Sequence, residues 1–425
     1  MKGIDMKKIS KIFPALLLAA LTLTSCSAPV ATGEVQKHNV LHWEIVTEVG
    51  CESEGYRFGL CVDCKNEVRD VMEPLGHDFR EGFCVRCKKE AASNGENEAL
   101  ASVFEFSDNG RGYTLVKCNE YAEKILNIPS EYDGKPVTEI SENAFMDNKY
   151  IEELIVPDSV KYIGARAFKN CTALEKAYIG KSVTELSEEV FYGCISLREA
   201  VLPDSLVTIN TGCFRGCVSL ESASARFCRE IGDGAFMNCE MLHKFVFPDT
   251  LERIGRDAFA YSGITSAELP DSVRYIFDDA FAASLVRTAT IPKNLQNRCN
   301  SMFRECKMLE SVTVESVLIF TEFEGCDNLK SIVFTEGISE VFADTLGSCG
   351  AETIYLPRSV TFVGEKFLLA RSVRRIVYAG ESKEFFNISG LSSFLHLNWG
   401  SVIECTDKTL TIQDVMERIE SQKQN

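Results

Sequence analysis

The run VPDSVKYIGARAFKNC, Val156–Cys171, returns in altered form along most of the 425-residue chain. Its Phe168 belongs to a series of large apolar residues that close successive copies: Phe145, Phe168, Phe191, Phe214, Phe236, Phe259, Phe281, Phe303, Phe323, Leu346 and Phe367. Consecutive members lie 23, 23, 23, 22, 23, 22, 22, 20, 23 and 21 residues apart. Eleven units at one period make a repeat array, in which no unit buries its apolar face alone but neighbours bury it for one another.

Inner positions are also fixed. Three residues past the anchor stands Cys171, Cys194, Cys217, Cys239, Cys306, Cys326 or Cys349, replaced in weaker units by Asn148, Ser262 and Ser284. A short apolar run closed by Pro follows, as at Leu154–Pro157, Ala200–Pro203 and Phe245–Pro248. Such runs read as short strands. One strand per unit, stacked at ~4.8 Å, predicts a continuous parallel sheet with the Phe residues stacked behind it. The period lies in the leucine-rich-repeat range, and the expected fold is an α/β repeat solenoid. The repeated Cys is small and suited to burial, and side chains pointing the same way from stacked units predict free thiols.

On these residues the segment 103–378 resembles the BspA-like leucine-rich repeat proteins, a bacterial surface class whose motif L-P-x-S-V-x-x-I-G-x-x-A-F-x-x-C is matched closely by Val156–Cys171. The lead-in Ile128–Ile140 looks like that family's first unit, and Ile376–Gly380 with Val402–Asp407 looks like its closing segment. Residues 292–325 depart from the pattern and predict a local irregularity. The resemblance implies surface-exposed binding or adhesion, with no catalysis and no fixed ligand.

The array, 103–380, requires covered ends. Phe104–Phe106, a turn at Asn109-Gly110 and Tyr113–Val116 predict a hairpin at the start. In the C-terminal segment 381–425, Ile412, Val415, Met416 and Ile419 share one helical face. The outward positions of the strands include Ile155, Tyr178, Val201, Val246, Thr290, Val333 and Tyr355, a candidate protein-binding column. β-branched and aromatic residues also suit any strand, so their identity alone does not mark a site.

Before the array, residues 1–25 read as an export signal: a basic stretch, then an apolar run shorter than the ~20 residues of a spanning helix. Leu23-Thr24-Ser25-Cys26 resembles a bacterial lipobox, which implies cleavage before Cys26, acylation of Cys26, and attachment outside the cytoplasm by a lipid anchor. Residues 26–37 form a tether, 38–90 a small Cys/His module and 91–102 a linker. In the module, Cys61-x2-Cys64 and Cys84-x2-Cys87 have zinc-ribbon spacing. Four thiolates would close a structural zinc tetrahedron, with Cys51, His77, His42 and His38 as further ligand candidates. Disulfides are the alternative staple for so small an exported core. No cofactor is expected for the repeats.

The formal charge of −17 becomes about three units more negative without the basic leader. Such an acidic chain is a poor partner for nucleic acid. Outside the module only His243 and His396 remain, His396 read as a packing residue, and no phosphate loop or nucleophile elbow appears. The expected function is non-enzymatic: a lipid-anchored surface protein binding a host or envelope protein, or alternatively an envelope scaffold presenting other surface proteins. Metal capture or thiol chemistry by the module is a third reading.

Overall fold

The computed structural model describes residues 101–118, 124–223, 225–297, 299, 301–316, 323–341, 349–364 and 372–423, and the backbone of five short strands between 44 and 84. The chain divides into two compact units, Met1–Glu96 and Asn97–Asn425.

In the first unit, Glu44–Thr47, Gly55–Leu60 and Glu67–Met72 form a three-stranded antiparallel sheet in chain order. Phe79–Arg80 and Phe83–Cys84 form a separate antiparallel pair. Cys84 is described only as backbone of that pair. Cys26, His38, His42, Cys51, Cys61, Cys64, His77 and Cys87 lie outside the described residues.

The second unit is a leucine-rich repeat β-solenoid of about eleven turns. Most turns contribute a strand of two to four residues to a first sheet, as at Glu153–Ile155, Lys176–Tyr178 and Glu199–Val201, paired parallel and in register. The middle residue of each points inward: Leu154, Ala177, Ala200, Ala267, Ala289, Val312 and Ile332 are buried.

Two expectations need correction. First, most turns contribute a second strand, two residues long, at the Tyr-Ile position: Tyr162–Ile163, Glu185–Leu186, Thr208–Ile209, Glu230–Ile231, Arg253–Ile254 and Tyr275–Ile276. Among the described residues no helix lies within the repeats, so the array is β rather than α/β. Short turns, not helices, return the chain. Each anchor Phe from 145 to 303 is flanked two residues before and two after by a left-handed residue. Gly212, Gly234, Gly193 and Gly216 accept that conformation freely, whereas Arg166, Glu189, Tyr261 and Ala283 adopt it against their Cβ.

Second, the first sheet is not continuous. It forms a five-stranded sheet ending at Ser222–Ala223 and an eight-stranded one beginning at Ser266–Glu268. Between them, Phe245–Phe247 keeps the alternating in-out pattern but joins no ladder. Phe245 stands in a column otherwise filled here by Ala223 and Ala267. Its ring packs against Phe236 and Phe259 at 5.2 and 5.1 Å, and this bulk occupies the space in which alanine neighbours approach closely.

The irregularity expected at 292–325 appears on the other face. The second sheet stops at Ile276, where the Asn297 side chain takes the place of a strand: its Oδ1 accepts from the Ile276 amide at 3.1 Å and its Nδ2 donates to the Ile276 carbonyl at 2.7 Å. Pairing resumes at Glu340–Val341 with Phe362–Val363.

The Phe spine passes through both breaks. Neighbouring rings from Phe145 to Phe323 stack with centroids 5.0 to 6.4 Å apart and planes within 20°. Leu346 and Phe367 lie outside the described residues.

A hairpin stands at one end of the array, and a strand pair with a helix at the other. Phe104–Asp108 and Tyr113–Cys118 form an antiparallel hairpin, and the second strand pairs with Lys135–Ile140. Asn109 locks the turn by donating to Thr114 and Thr138, each at 3.0 Å. At the other end Val402–Glu404 continues the first sheet, Thr409–Thr411 pairs back on it, and the helix Ile412–Lys423 follows. Thr411 and Asp414 cap the helix reciprocally. Ile412 and Val415 are buried, and Ile419 packs partly against the core.

Candidate functional site

The exposed face of the first sheet gathers the sequence-derived binding column, because a strand period of two turns every second side chain outward. Pairing sets Ile155, Tyr178 and Val201 side by side, and likewise Thr290, Thr313, Val333 and Tyr355. Val246 stands at 67% exposure in the gap between the two sheets, and Ile155 and Tyr355 are also exposed. Tyr178, Val201, Thr290 and Val333 are half-buried. The gap leaves Val246 outside any ladder, so the column is interrupted there.

Polar neighbours divide this face. Thr290 is engaged internally, donating to Glu268 Oε2 at 2.8 Å, and Thr288 donates to Glu268 Oε1 at 3.1 Å. Arg375 holds Glu404 with two hydrogen bonds of 2.8 and 2.5 Å. Around Tyr178, Glu153 and Glu199 stand on the flanking strands. Burial, and then the charges of Glu199 and Glu153, push the Tyr178 hydroxyl above its ordinary pKa.

The repeated cysteines are free and mostly buried. They are not merely apolar filler. Cys171, Cys194, Cys217, Cys239, Cys306 and Cys326 each donate to the carbonyl of the anchor Phe one unit earlier, at 3.0 to 3.2 Å. Burial raises Cys306 to about 11 and pushes Cys194, Cys213, Cys217, Cys239 and Cys326 up as well. Thiols held protonated are poor nucleophiles and poor metal ligands. Among the described residues no cluster of His, Cys, Asp and Glu is arranged to hold a metal ion. No helix is long and apolar enough to cross a membrane, among the same residues.

His396 is exposed rather than packed, since the 3-10 segment Leu391–His396 turns Leu391 and Phe394 inward and leaves Leu395 and His396 outside. Residue-by-residue reading also missed a set of exposed apolar side chains at the turn entering the first sheet: Tyr150, Ile195, Met241 and Leu285. The available signal was their place, one or two residues past the repeated Cys, Asn or Ser.

Solved structures similar to the chain include a leucine rich cell surface protein from Faecalibacterium prausnitzii A2-165, at 23% identity over 68% of this chain and 96% of that one, TM-score 0.41. Another is a leucine-rich repeat protein from Bacteroides ovatus, at 20% identity over 71% and 97%, TM-score 0.38. The leucine rich repeat protein of T. pallidum matches at 23% identity over 54% and 89%, TM-score 0.32. Among curated proteins none matches. The model of the BspA type leucine rich repeat region matches in six copies across residues 138–263, 229–323 and 252–374, more than half of the sequence. With that match, the spacing of its anchors and the solenoid they build, the chain belongs to the BspA-type leucine-rich repeat family.

Proposed function

We propose that this chain is a non-enzymatic binding protein of the bacterial surface, lipid-anchored through Cys26, that engages a protein partner through the exposed face of its first sheet. The observation that carries the reading is the column itself: Ile155, Val246 and Tyr355 present exposed apolar surface on a scaffold tied together by stacked Phe rings. Preset side chains on a rigid frame lose little entropy when a partner docks, which favours recognition. The protonated, buried thiols of the repeats offer no ready nucleophile, in keeping with binding rather than catalysis. The zinc assigned to 38–90 rests on the spacing of Cys61, Cys64, Cys84 and Cys87, and its role in this reading is to staple a small module.

The test places a photo-cross-linking residue at Tyr178 or Tyr355, and at exposed Glu340 on the second sheet as control. The protein is displayed on cells exposed to host extracellular proteins. Adducts with a foreign protein from the first-sheet positions alone support adhesion. Adducts with the cell's own envelope proteins turn the reading to a scaffold. Adducts equally frequent from Glu340 remove the first sheet as the site. For the anchor, Cys26→Ala is expected to release the protein from membranes and abolish incorporation of labelled fatty acid.

A further inference from the structure

The exposed face of the first sheet differs in charge from one end to the other. Toward the C-terminus most of its carboxylates are satisfied within the protein, Glu352 excepted among the described residues. Glu268 accepts from Ser266, Thr288 and Thr290, Glu310 pairs with Arg287 and Lys330, and Glu404 holds Arg375. Toward the N-terminus the pairing stops after Glu152 with Lys124. The carboxylates of Glu153, Glu175, Glu199 and Glu221 have no ion-pair or hydrogen-bond partner among the described residues. Among the described residues Lys176 and Arg198 are interleaved with them, and Lys124, paired with Glu152, also lies within electrostatic reach of Glu175, so this rim keeps an excess of negative charge.

The rim runs alongside an apolar ladder. Register sets Glu153, Lys176 and Glu199 in one column and Ile155, Tyr178 and Val201 in the next. Water solvates unpaired carboxylates well, so the arrangement costs the free protein little. A basic group placed against them gains attraction, and the apolar ladder gains burial, only when a partner arrives. The C-terminal half holds less of this reserve, because Glu268, Glu310 and Glu404 already have internal partners and Glu352 stands alone.

We propose that the ladder Ile155–Tyr178–Val201 with its acidic rim is the docking site for an extended segment of a partner protein that alternates apolar side chains with Lys or Arg. The proposal rests on the reading of the first sheet as the binding face and names the chemistry of its partner. Electrostatic matching of this kind speeds association and selects the partner, while the apolar contacts hold it.

The experiment uses the full chain and two fluorescent twelve-residue peptides, one alternating Leu with Lys and one alternating Leu with Glu. Binding is followed by anisotropy in 50 and 500 mM NaCl. The Leu-Lys peptide is expected to bind, to lose at least tenfold in affinity in the Glu153→Lys/Glu199→Lys variant, and to weaken similarly at high salt. Tyr178→Ala is expected to weaken it without changing its salt dependence. The charge-matched control Glu340→Lys/Glu352→Lys is expected to bind like the parent. Equal losses in both double variants, or equal binding of the Leu-Glu peptide, overturn the proposal. Cross-linking of a cellular partner, repeated on Glu153→Lys/Glu199→Lys, separates the two ideas. A partner still captured on the first sheet overturns this proposal and leaves the binding face standing. No capture there by the parent protein overturns the binding face itself.

Discussion

The thiol of Cys217 donates to the carbonyl oxygen of Phe191, one unit earlier, across 3.1 Å. That oxygen also accepts from the Cys194 amide of its own unit at 3.2 Å, and the Phe191 amide donates to the Cys213 carbonyl of the following unit at 2.8 Å. Backbone groups of the anchor are thus tied to the next turn by one ordinary and one sulfur hydrogen bond. The same pair recurs at Phe145, Phe168, Phe214 and Phe281. The stacked rings and these bonds join the same neighbours, which makes the back of the solenoid cooperative from unit to unit.

Ser262 breaks this rule and supplies the first prediction. It occupies the Cys position, yet its buried hydroxyl has no partner among the described residues. The shorter C–O bond does not carry the oxygen to the Phe236 carbonyl. A buried hydroxyl without a partner costs about 1–3 kcal/mol. Ser262→Cys is expected to raise stability by about 1 kcal/mol, read as a higher urea midpoint at unchanged slope, because the thiol is cheaper to bury and reaches further. Cys217→Ser, the reverse change in an intact unit, is expected to lower the midpoint. If both variants move it in the same direction, the length of the side chain is not what matters.

Removing a ring from the spine is expected to cost more. Phe214 is fully buried, with Phe191 and Phe236 stacked at 5.4 and 5.2 Å. Phe214→Ala leaves a cavity between two faces of the stack and is expected to cost about 3–5 kcal/mol. Phe145→Ala, at the end of the ladder, is expected to cost less, since among the described residues one ring, Phe168, stacks on it and Phe104 meets it only edge-on at 6.3 Å. Hydrogen exchange reads the difference directly: the interior change opens amides on both sides of the gap, the terminal one mainly those before Phe168.

Ala283 sits in the left-handed region at φ 53°. A residue with a Cβ pays about 1–2 kcal/mol for this conformation. Glycine avoids that cost but loses about 0.5–1 kcal/mol through its freer unfolded state. Ala283→Gly is therefore expected to be neutral to stabilising, by up to about 1 kcal/mol, although glycine inside a repeat ordinarily weakens it. Ala280→Gly, a buried neighbour with no such φ, is expected to destabilise and serves as the reference in the same thermal melts.

Much of this organisation was legible in the sequence. The Phe series fixed the repeat and its buried stack, the Pro-closed runs located the first sheet, and Ile412 and Val415 marked the buried side of the last helix. The second sheet was hidden because strands of two residues, such as Thr208–Ile209, are too short to show alternation. The left-handed turns were hidden because Arg166, Glu189 and Tyr261 give none of the usual Gly or Asn signal. The break at Phe245 came from size, not pattern: its flanking residues alternate correctly, and only the alanines on either side reveal the misfit. On the candidate face the outward column could be read from period alone. Which carboxylates are already paired could not, because Glu310 meets Arg287 and Lys330 across units, and that depends on register.

The buried thiols make stability depend on pH at the alkaline end, with a sign that follows from their environment. An unfolded Cys ionises near pH 8.5. Burial raises Cys306 and Cys228 to about 11 in the folded protein and raises Cys213, Cys239 and Cys326 too. Below pH 8 both states hold these protons and the linkage is silent. Above about pH 8.5 the unfolded chain releases protons that the folded chain keeps, so each further pH unit favours unfolding by up to about 1.4 kcal/mol per thiol until the folded thiol itself ionises. In reducing buffer the melting temperature is expected to be flat from pH 6.5 to 8 and to fall steeply from pH 8.5 to 10.5. Cys306→Ala and Cys228→Ala, combined, are expected to make that fall shallower while lowering the starting value. The same burial protects the thiols from reagents. In a fragment spanning 97–425 at pH 7.5, Cys118 and Cys405, the two half-buried sites, are expected to be alkylated first, and the ten buried cysteines only on unfolding. Rapid native alkylation of Cys217 or Cys239 would contradict their burial in the Phe-linked ladder, and a slope unaffected by the Cys306 and Cys228 changes would remove the thiols as its cause.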